Sequence, residues 1–305
     1  MRANQRGSLS WAGRTLRAIA AALLVAAAAC AAPAARSEGP ALWRVADADS
    51  EIWLFGTVHV LPPNTPWRTA RIDAAFRSAD TLVFETDVGA EGREALQRLY
   101  LERGFDRSGA TLASKLPASE RPRLARVAQK LGVTEAELAP MRPWFAALQL
   151  SLRFVLSKGQ DISAGVEQAL DADARQLGKK RAYLETADEQ IGFLADLSPE
   201  AEREFLISSL RQIEEEEDSV SEMDEAWLAG DTQKLSRLLN GLIEEAGPAV
   251  RSALIVERNR RWTEEIDRML AGRGGVFVAV GAAHLVGPDS VVAQLRARGR
   301  EVEGP

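Results

Sequence analysis

Residues 51–59, Glu51-Ile52-Trp53-Leu54-Phe55-Gly56-Thr57-Val58-His59, decide the fold. In an extended chain Ile52, Leu54 and Val58 fall on one face and Trp53 and Phe55 on the other. A strand that is apolar on both faces belongs inside a sheet covered by helices on each side. Residues 81–84 and 276–280 are two more short, continuous apolar runs and read as buried strands. Residues 42–45 form another strand, joined to the first by the polar turn Asp47-Ala48-Asp49-Ser50. Residues 181–184 are a weaker candidate.

Most of the remaining chain carries helical spacing. The predicted helices cover 67–77, 91–103, 120–131, 143–156, 166–177, 199–216, 232–243, 248–270 and 288–298. Pro199, Pro248 and Pro288 stand where a first turn tolerates proline, and Gly178 and Gly299 follow two of the helix ends. Strands therefore come early and late. The expectation is an α/β protein whose central mixed sheet is built from both ends of the chain and flanked by helices. A large helical insertion spans about 87–270 of a single domain covering 41–305. The acidic run Glu214 to Asp218 reads as a solvated helix face or end.

Composition narrows the class. Of 305 residues, 46% are apolar and 27% charged, an ordinary globular balance. The net charge of −6 comes without a basic stripe, which argues against nucleic-acid binding. Arg2, Arg6, Arg14 and Arg17 precede an apolar run at 18–29, followed by Ala32-Pro33-Ala34. That is the layout of a secretory signal peptide over residues 1–35. A membrane anchor is the alternative, but the run is mostly alanine and shorter than the ~20 apolar residues of a bilayer span. The single cysteine, Cys30, follows Ala27-Ala28-Ala29 like a degenerate lipobox. It offers a lipid attachment, the one expected route to a membrane. With Cys30 in or at the edge of that segment, disulfides, thiolate catalysis and cysteine-ligated metals are excluded from the fold. The expected location is the periplasm or, lipid-anchored, the cell envelope.

Three groups that can hold a metal occupy equivalent places. His59 ends one predicted strand, Glu85 ends another, and His284 lies just beyond a third. Ligands of open α/β sheets bind outside the carboxyl ends of the strands, so the three converge if those strands are neighbours. His59 and His284 are the only histidines. Each closes a G-x-x-H pattern, Gly56-Thr57-Val58-His59 and Gly281-Ala282-Ala283-His284, where the glycine permits a tight strand exit. Within 248–270, Leu254, Ile255, Trp262, Ile266 and Met269 form an apolar stripe that contains Arg258, so its guanidinium points inward. Arg258 then either pairs with an internal carboxylate or binds negative charge on a substrate. Asn259 is ambiguous. Glu167 follows Gly165 at a helix start, where a carboxylate also serves the helix dipole. Glu185 ends a weak strand and is a further ligand, a base, or the partner of Arg258.

These motifs have a family likeness. Phe55-Gly56-Thr57-Val58-His59, Phe84-Glu85-Thr86, Gly165-Val166-Glu167-Gln168, Leu184-Glu185-Thr186, Glu257-Arg258-Asn259-Arg260 and Gly281-Ala282-Ala283-His284-Leu285, in this order, resemble the TraB/PrgY/GumN family. That family is distantly related to the Tiki metalloproteases. The resemblance implies a fold like that of the erythromycin esterases and ChaN-type haem-binding proteins. It also implies a divalent metal, manganese or cobalt ahead of zinc, on His59, His284 and Glu85. The leading expectation is an exported metal-dependent hydrolase of peptide bonds with Glu85, Glu185 and Arg258 as catalytic residues. Its partner is then a peptide or small-molecule substrate. The alternative is a non-catalytic protein of the envelope that binds metal, haem or peptide. H-E-x-x-H and G-x-S-x-G are both absent, which disfavours an ordinary zincin and a serine hydrolase.

Overall fold

A computed structural model describes residues 39–215 and 218–305. Residues 1–35, read above as a signal peptide, and with them Cys30, lie outside the described residues. Six strands form one sheet: β1 (Leu42–Ala46), β2 (Ser50–Thr57), β3 (Thr81–Phe84), β4 (Lys180–Tyr183), β5 (Gly274–Gly281) and β6 (Val302–Glu303). Their spatial order is β4-β3-β5-β2-β1-β6. β4, β3, β5 and β2 run parallel, while β1 is antiparallel to both β2 and β6. The sheet is mixed and flanked by helices, as the apolar patterning required.

The central position belongs to β5, which arrives last among the long strands. It pairs with β2 over Ser50↔Gly274 to Thr57↔Gly281 and with β3 over Thr81↔Val276 to Phe84↔Ala279. Hydrophobic burial drives this closure, because Ile52, Leu54, Phe55, Leu82, Phe277 and Val278 are all fully buried. Phe277 packs its ring against Phe55 at 5.7 Å and edge-on to Phe76 at 5.6 Å. The β1–β2 turn closes as its sequence asks: Asp47 Oδ1 accepts from the Ser50 amide at 2.9 Å.

Helices fill the chain between β3 and β5, interrupted only by β4 among the described residues. Two apolar clusters hold this insertion, one about Leu150, Leu206 and Leu210, the other about Trp144, Phe145 and Ile191. Glu214, in the acidic run, pairs with Arg123 at 2.9 Å and Arg126 at 2.7 Å. Among the described residues no helix is long and apolar enough to cross a membrane.

Several boundaries move for identifiable reasons. The first helix begins at Ala70, because the Thr69 side chain caps it by accepting from the Ile72 amide. The last spans Val291–Ala297, because Ser290 caps the Ala293 amide and Pro288 stays in the preceding loop. The helix predicted over 248–270 is broken: Pro248–Arg251, a π turn at Ser252–Val256, then Glu257–Leu270. Two longer helices lie outside the periodic segments singled out in the sequence, Ala187–Ala195 and Ser219–Leu228, as do the single turns Leu112–Lys115 and Glu135–Leu138. The first carries a capping box between Thr186 and Glu189.

Phe277 tests the central role of β5. Truncation to alanine leaves a cavity among Phe55 and Phe76 and costs about 3–5 kcal/mol. Urea unfolding of Phe277→Ala beside the wild type measures it, and a loss below about 1 kcal/mol contradicts a tightly packed centre.

Candidate functional site

Parallel strands put their carboxyl ends on one edge of the sheet. That edge carries His59 two residues after β2, Glu85 directly after β3, Glu185 two residues after β4, and His284 three residues after β5. The Glu185 amide donates to the Glu85 carbonyl at 2.8 Å, which extends the β3–β4 ladder and locks the two carboxylates side by side. The neighbour relation the sequence left open is therefore met: β5 lies between β2 and β3.

The two motif glycines work by close approach. A Cβ on Gly56 would lie 3.1 Å from the Ala282 Cα, so the two G-x-x-H segments press directly on one another. A Cβ on Gly281 would fall 3.1 Å from Glu85 Oε1, 3.7 Å from His284 Cδ2 and 3.8 Å from His59 Nε2. The bare Gly281 backbone thus opens the point on which the three groups converge. Its amide donates to Glu85 Oε1 at 2.6 Å.

Both imidazoles are held from behind through Nδ1. Glu167 Oε1 lies 2.7 Å from His59 Nδ1 and also accepts from the Thr57 hydroxyl. Asn259 Oδ1 lies 2.6 Å from His284 Nδ1, while its Nδ2 donates to the Asp289 carbonyl at 2.8 Å. Since the Asn259 amide nitrogen is committed to a carbonyl, its oxygen accepts and His284 Nδ1 carries the proton. Each Nε2 is the nitrogen that faces away from this support, and that of His284 accepts from Arg258 Nη1 at 3.2 Å. Such backing by a carboxylate or amide is how proteins orient metal-binding histidines.

Arg258 closes the site. Its Nε donates to Glu185 Oε1 at 2.9 Å and its Nη2 to Glu185 Oε2 at 2.9 Å and Glu85 Oε2 at 2.6 Å. Nη1 contacts the Leu254 carbonyl at 3.3 Å and His284 Nε2 at 3.2 Å. The guanidinium lies over Trp262 at 4.6 Å and Phe193 at 5.0 Å. Glu185 is further held by Trp262 Nε1 at 3.0 Å and by Arg261 at 3.3 Å. Of the roles open to Glu185 in the sequence, the observed contact is that of Arg258's partner.

Burial and charge set the protonation states. Burial raises Glu85 most, but the Arg258 guanidinium, the two imidazoles and the Gly281 amide together outweigh it and bring the pKa down to about 2. Glu185 ends raised, because its burial outweighs the same arginine. Burial, then Arg258, pushes His284 down to about 3, so it is neutral at ordinary pH. His59 shifts upward, chiefly through Glu167. Its ring is 68% exposed at the cavity mouth, so solvent screens part of that attraction.

Two imidazoles and a carboxylate are a donor set that suits a first-row divalent ion. The second-sphere partners and the Gly281 cradle fit one as well. Arg258 Nη1 occupies the His284 lone pair, and among the described residues no three His, Cys, Asp or Glu side chains stand assembled around an ion. The residue types fit such an ion, while Arg258 as it stands engages both His284 Nε2 and Glu85 Oε2.

Above this edge opens a cavity of about 320 Å³. His59, Glu85, Arg258 and His284 form its polar end, while helices of the insertion supply apolar walls. Glu185 is absent from the lining. Thr57 and Trp262 went unrecognised as supports in the sequence. Asn259 and Glu167 were seen without their partners, because only the fold brings Asn259 to His284 and Glu167 to His59.

The chain matches the TraB/PrgY/gumN family over residues 41–304. The uncharacterized protein YbaP of Escherichia coli (strain K12) is 23% identical over 243 residues, 80% of this chain and 87% of that protein. YbaP of Shigella flexneri gives the same figures, 23% over 243 residues. No solved structure matches significantly. The chain belongs to the TraB/PrgY/gumN family.

Two outcomes follow from the buried charges. Arg258→Met leaves Glu85 and Glu185 without their shared cation and lowers stability by about 3–5 kcal/mol; chemical denaturation of the folded variant measures the loss. His284 gives a pH signature. Its ordinary value is 6.5 and its folded value about 3. The unfolded chain therefore takes up a proton in that interval that the folded chain refuses. The stability tied to neutral His284 is complete above pH 6.5 and drains as pH falls toward 3. His59, shifted upward, contributes nothing in that interval, since its share is lost only as pH rises. Between pH 6.5 and 4.5, metal-free wild type loses roughly 2 kcal/mol more than His284→Gln. Parallel pH curves for the two proteins contradict a buried neutral His284.

Proposed function

We propose that this member of the TraB/PrgY/gumN family is a metal-dependent hydrolase acting on peptide bonds. The observation that carries the reading is the convergence of His59, His284 and Glu85 on the Gly281 backbone, at the polar end of a cavity of about 320 Å³. His59 and His284 would hold the ion through Nε2, with Glu85 as the third ligand. Resemblance favours manganese or cobalt over zinc. A bound dication lowers the pKa of water and polarises a carbonyl.

The chain's own groups divide the remaining work. Arg258 is fixed through Nε and Nη2 by two carboxylates, which holds its planar guanidinium in place, so once His284 Nε2 turned to the ion, Nη1 would be left for an attacked carbonyl oxygen. There it stabilises developing negative charge in a water-poor site, where a fixed cation acts strongly. Glu85 lines the cavity and Glu185 does not, so Glu85 would be the carboxylate that accepts a proton. Glu185 is sealed behind Arg258 and orients it. Glu167 and Asn259 hold the two rings in the tautomer that frees Nε2.

The positively charged start, apolar run and A-x-A site support export to the periplasm, with Cys30 as the alternative, lipidated start.

Elemental analysis of the purified protein beside His59→Ala and His284→Ala tests the shared site, with turnover of a mixed peptide library as the second readout. The expected result is loss of the same metal from both variants and at least a hundredfold loss of cleavage. Metal retained in full by either variant sinks the shared site. Metal binding without cleavage by the wild type points instead to a binding protein.

A further inference from the structure

The far end of the cavity has its own chemistry, which the hydrolytic groups do not use. Its walls are apolar: Val155, Val220, Met223 and Leu239 all line it. Two polar side chains, Gln160 and Asp224, interrupt them. Gln160 follows the helix Pro143–Ser157, and Asp224 lies on the helix Ser219–Leu228. Gln160 Nε2 donates to Asp224 Oδ2 at 2.7 Å. A carboxylate only accepts, so the amide nitrogen of Gln160 must face Asp224 and its oxygen must face elsewhere. That oxygen, Oε1, is buried and has no hydrogen-bond donor among the described residues, although Gln160 is only 7% exposed.

Asp224 is short of a partner as well. No lysine or arginine among the described residues pairs with it, and burial raises its pKa with only the Gln160 bond acting against this. A partly buried carboxylate beside an unsatisfied amide oxygen is costly unless a donor arrives. Both groups are acceptors, and one is anionic. What satisfies both is a cation with several N–H donors, delivered along an apolar wall.

We infer that this cavity takes the basic side chain of a peptide, with the aliphatic stem against Val155, Val220, Met223 and Leu239 and the cationic head between Asp224 and Gln160 Oε1. Lysine and arginine are built for such a site, since their stems bury while their heads keep polar partners. The inference deepens the hydrolase reading and rests on it for calling the peptide a substrate. The recognition itself needs only the cavity.

Binding separates the two. Titration calorimetry on the full chain with Ac-Ala-Ala-Lys-Ala-Ala-amide, and with the same peptide carrying norleucine or glutamate for lysine, measures the preference directly. The lysine peptide is expected to bind at least tenfold more tightly than norleucine, and glutamate more weakly still. Asp224→Asn keeps the shape and a hydrogen bond to Gln160 but removes the charge, and should erase the preference without moving the unfolding midpoint. Gln160→Met, which removes the other acceptor, should reduce it. Equal binding of lysine and norleucine peptides, no binding of either, or a preference that survives Asp224→Asn overturns the inference. A lysine preference without cleavage leaves this inference standing and counts against the hydrolase alone.

Discussion

The buried guanidinium of Arg258 is the constraint on which the site depends. Two strand-end carboxylates 2.6 to 2.9 Å from one cation cannot be separated from it without stranding charge away from water. The pairing therefore ties β3 and β4, which carry Glu85 and Glu185, to the helix Glu257–Leu270. Through Asn259 and His284 the same helix is tied to the end of β5. One side chain fixes the relative positions of elements that come from both ends of the chain and from its helical insertion. An apolar residue could fill the volume, but it could not register three carboxyl-terminal strand ends against one helix.

A π turn at Ser252–Val256 precedes the two successive residues of that helix that serve the site. A π turn inserts an extra residue into the helical register and shifts the face that follows. Arg258 and Asn259 are both buried, 6% and 0% exposed, and both reach His284, one at each ring nitrogen. The imidazole is held between a donor and an acceptor. This arrangement suits a ring that stays neutral.

The sheet and the principal site residues were legible because they leave strong local marks. Continuous apolar runs bounded by turns marked β1, β2, β3 and β5, and the weak run near residue 181 is the edge strand β4, whose Lys180 and Arg181 are exposed. His59, Glu85, His284 and Arg258 stood out as polar groups at strand ends or inside an apolar stripe. β6 went unread because two residues carry no periodicity; it exists by pairing with β1. The π turn left no compositional mark. Gln160 and Asp224 lie 64 positions apart in the insertion and join only through tertiary packing. No pattern in the sequence couples them, whereas the strand-end residues are coupled by the topology that parallel strands impose.

The placement of β5 has a kinetic consequence. Its partners β2 and β3 are early in the chain, yet they never pair with each other; β5 must slide between them, joining residue 50 to residue 274. Contacts of such long sequence separation form late and slowly. Until β5 is in place, β2 and β3 present bare hydrogen-bonding edges, and Glu85 has neither the Gly281 amide nor a shared pocket with His59. The insertion can gather around its own apolar clusters in the meantime. The convergence of His59, Glu85 and His284 therefore waits on β5, and a chain truncated before residue 274 would carry most of the protein's mass without it.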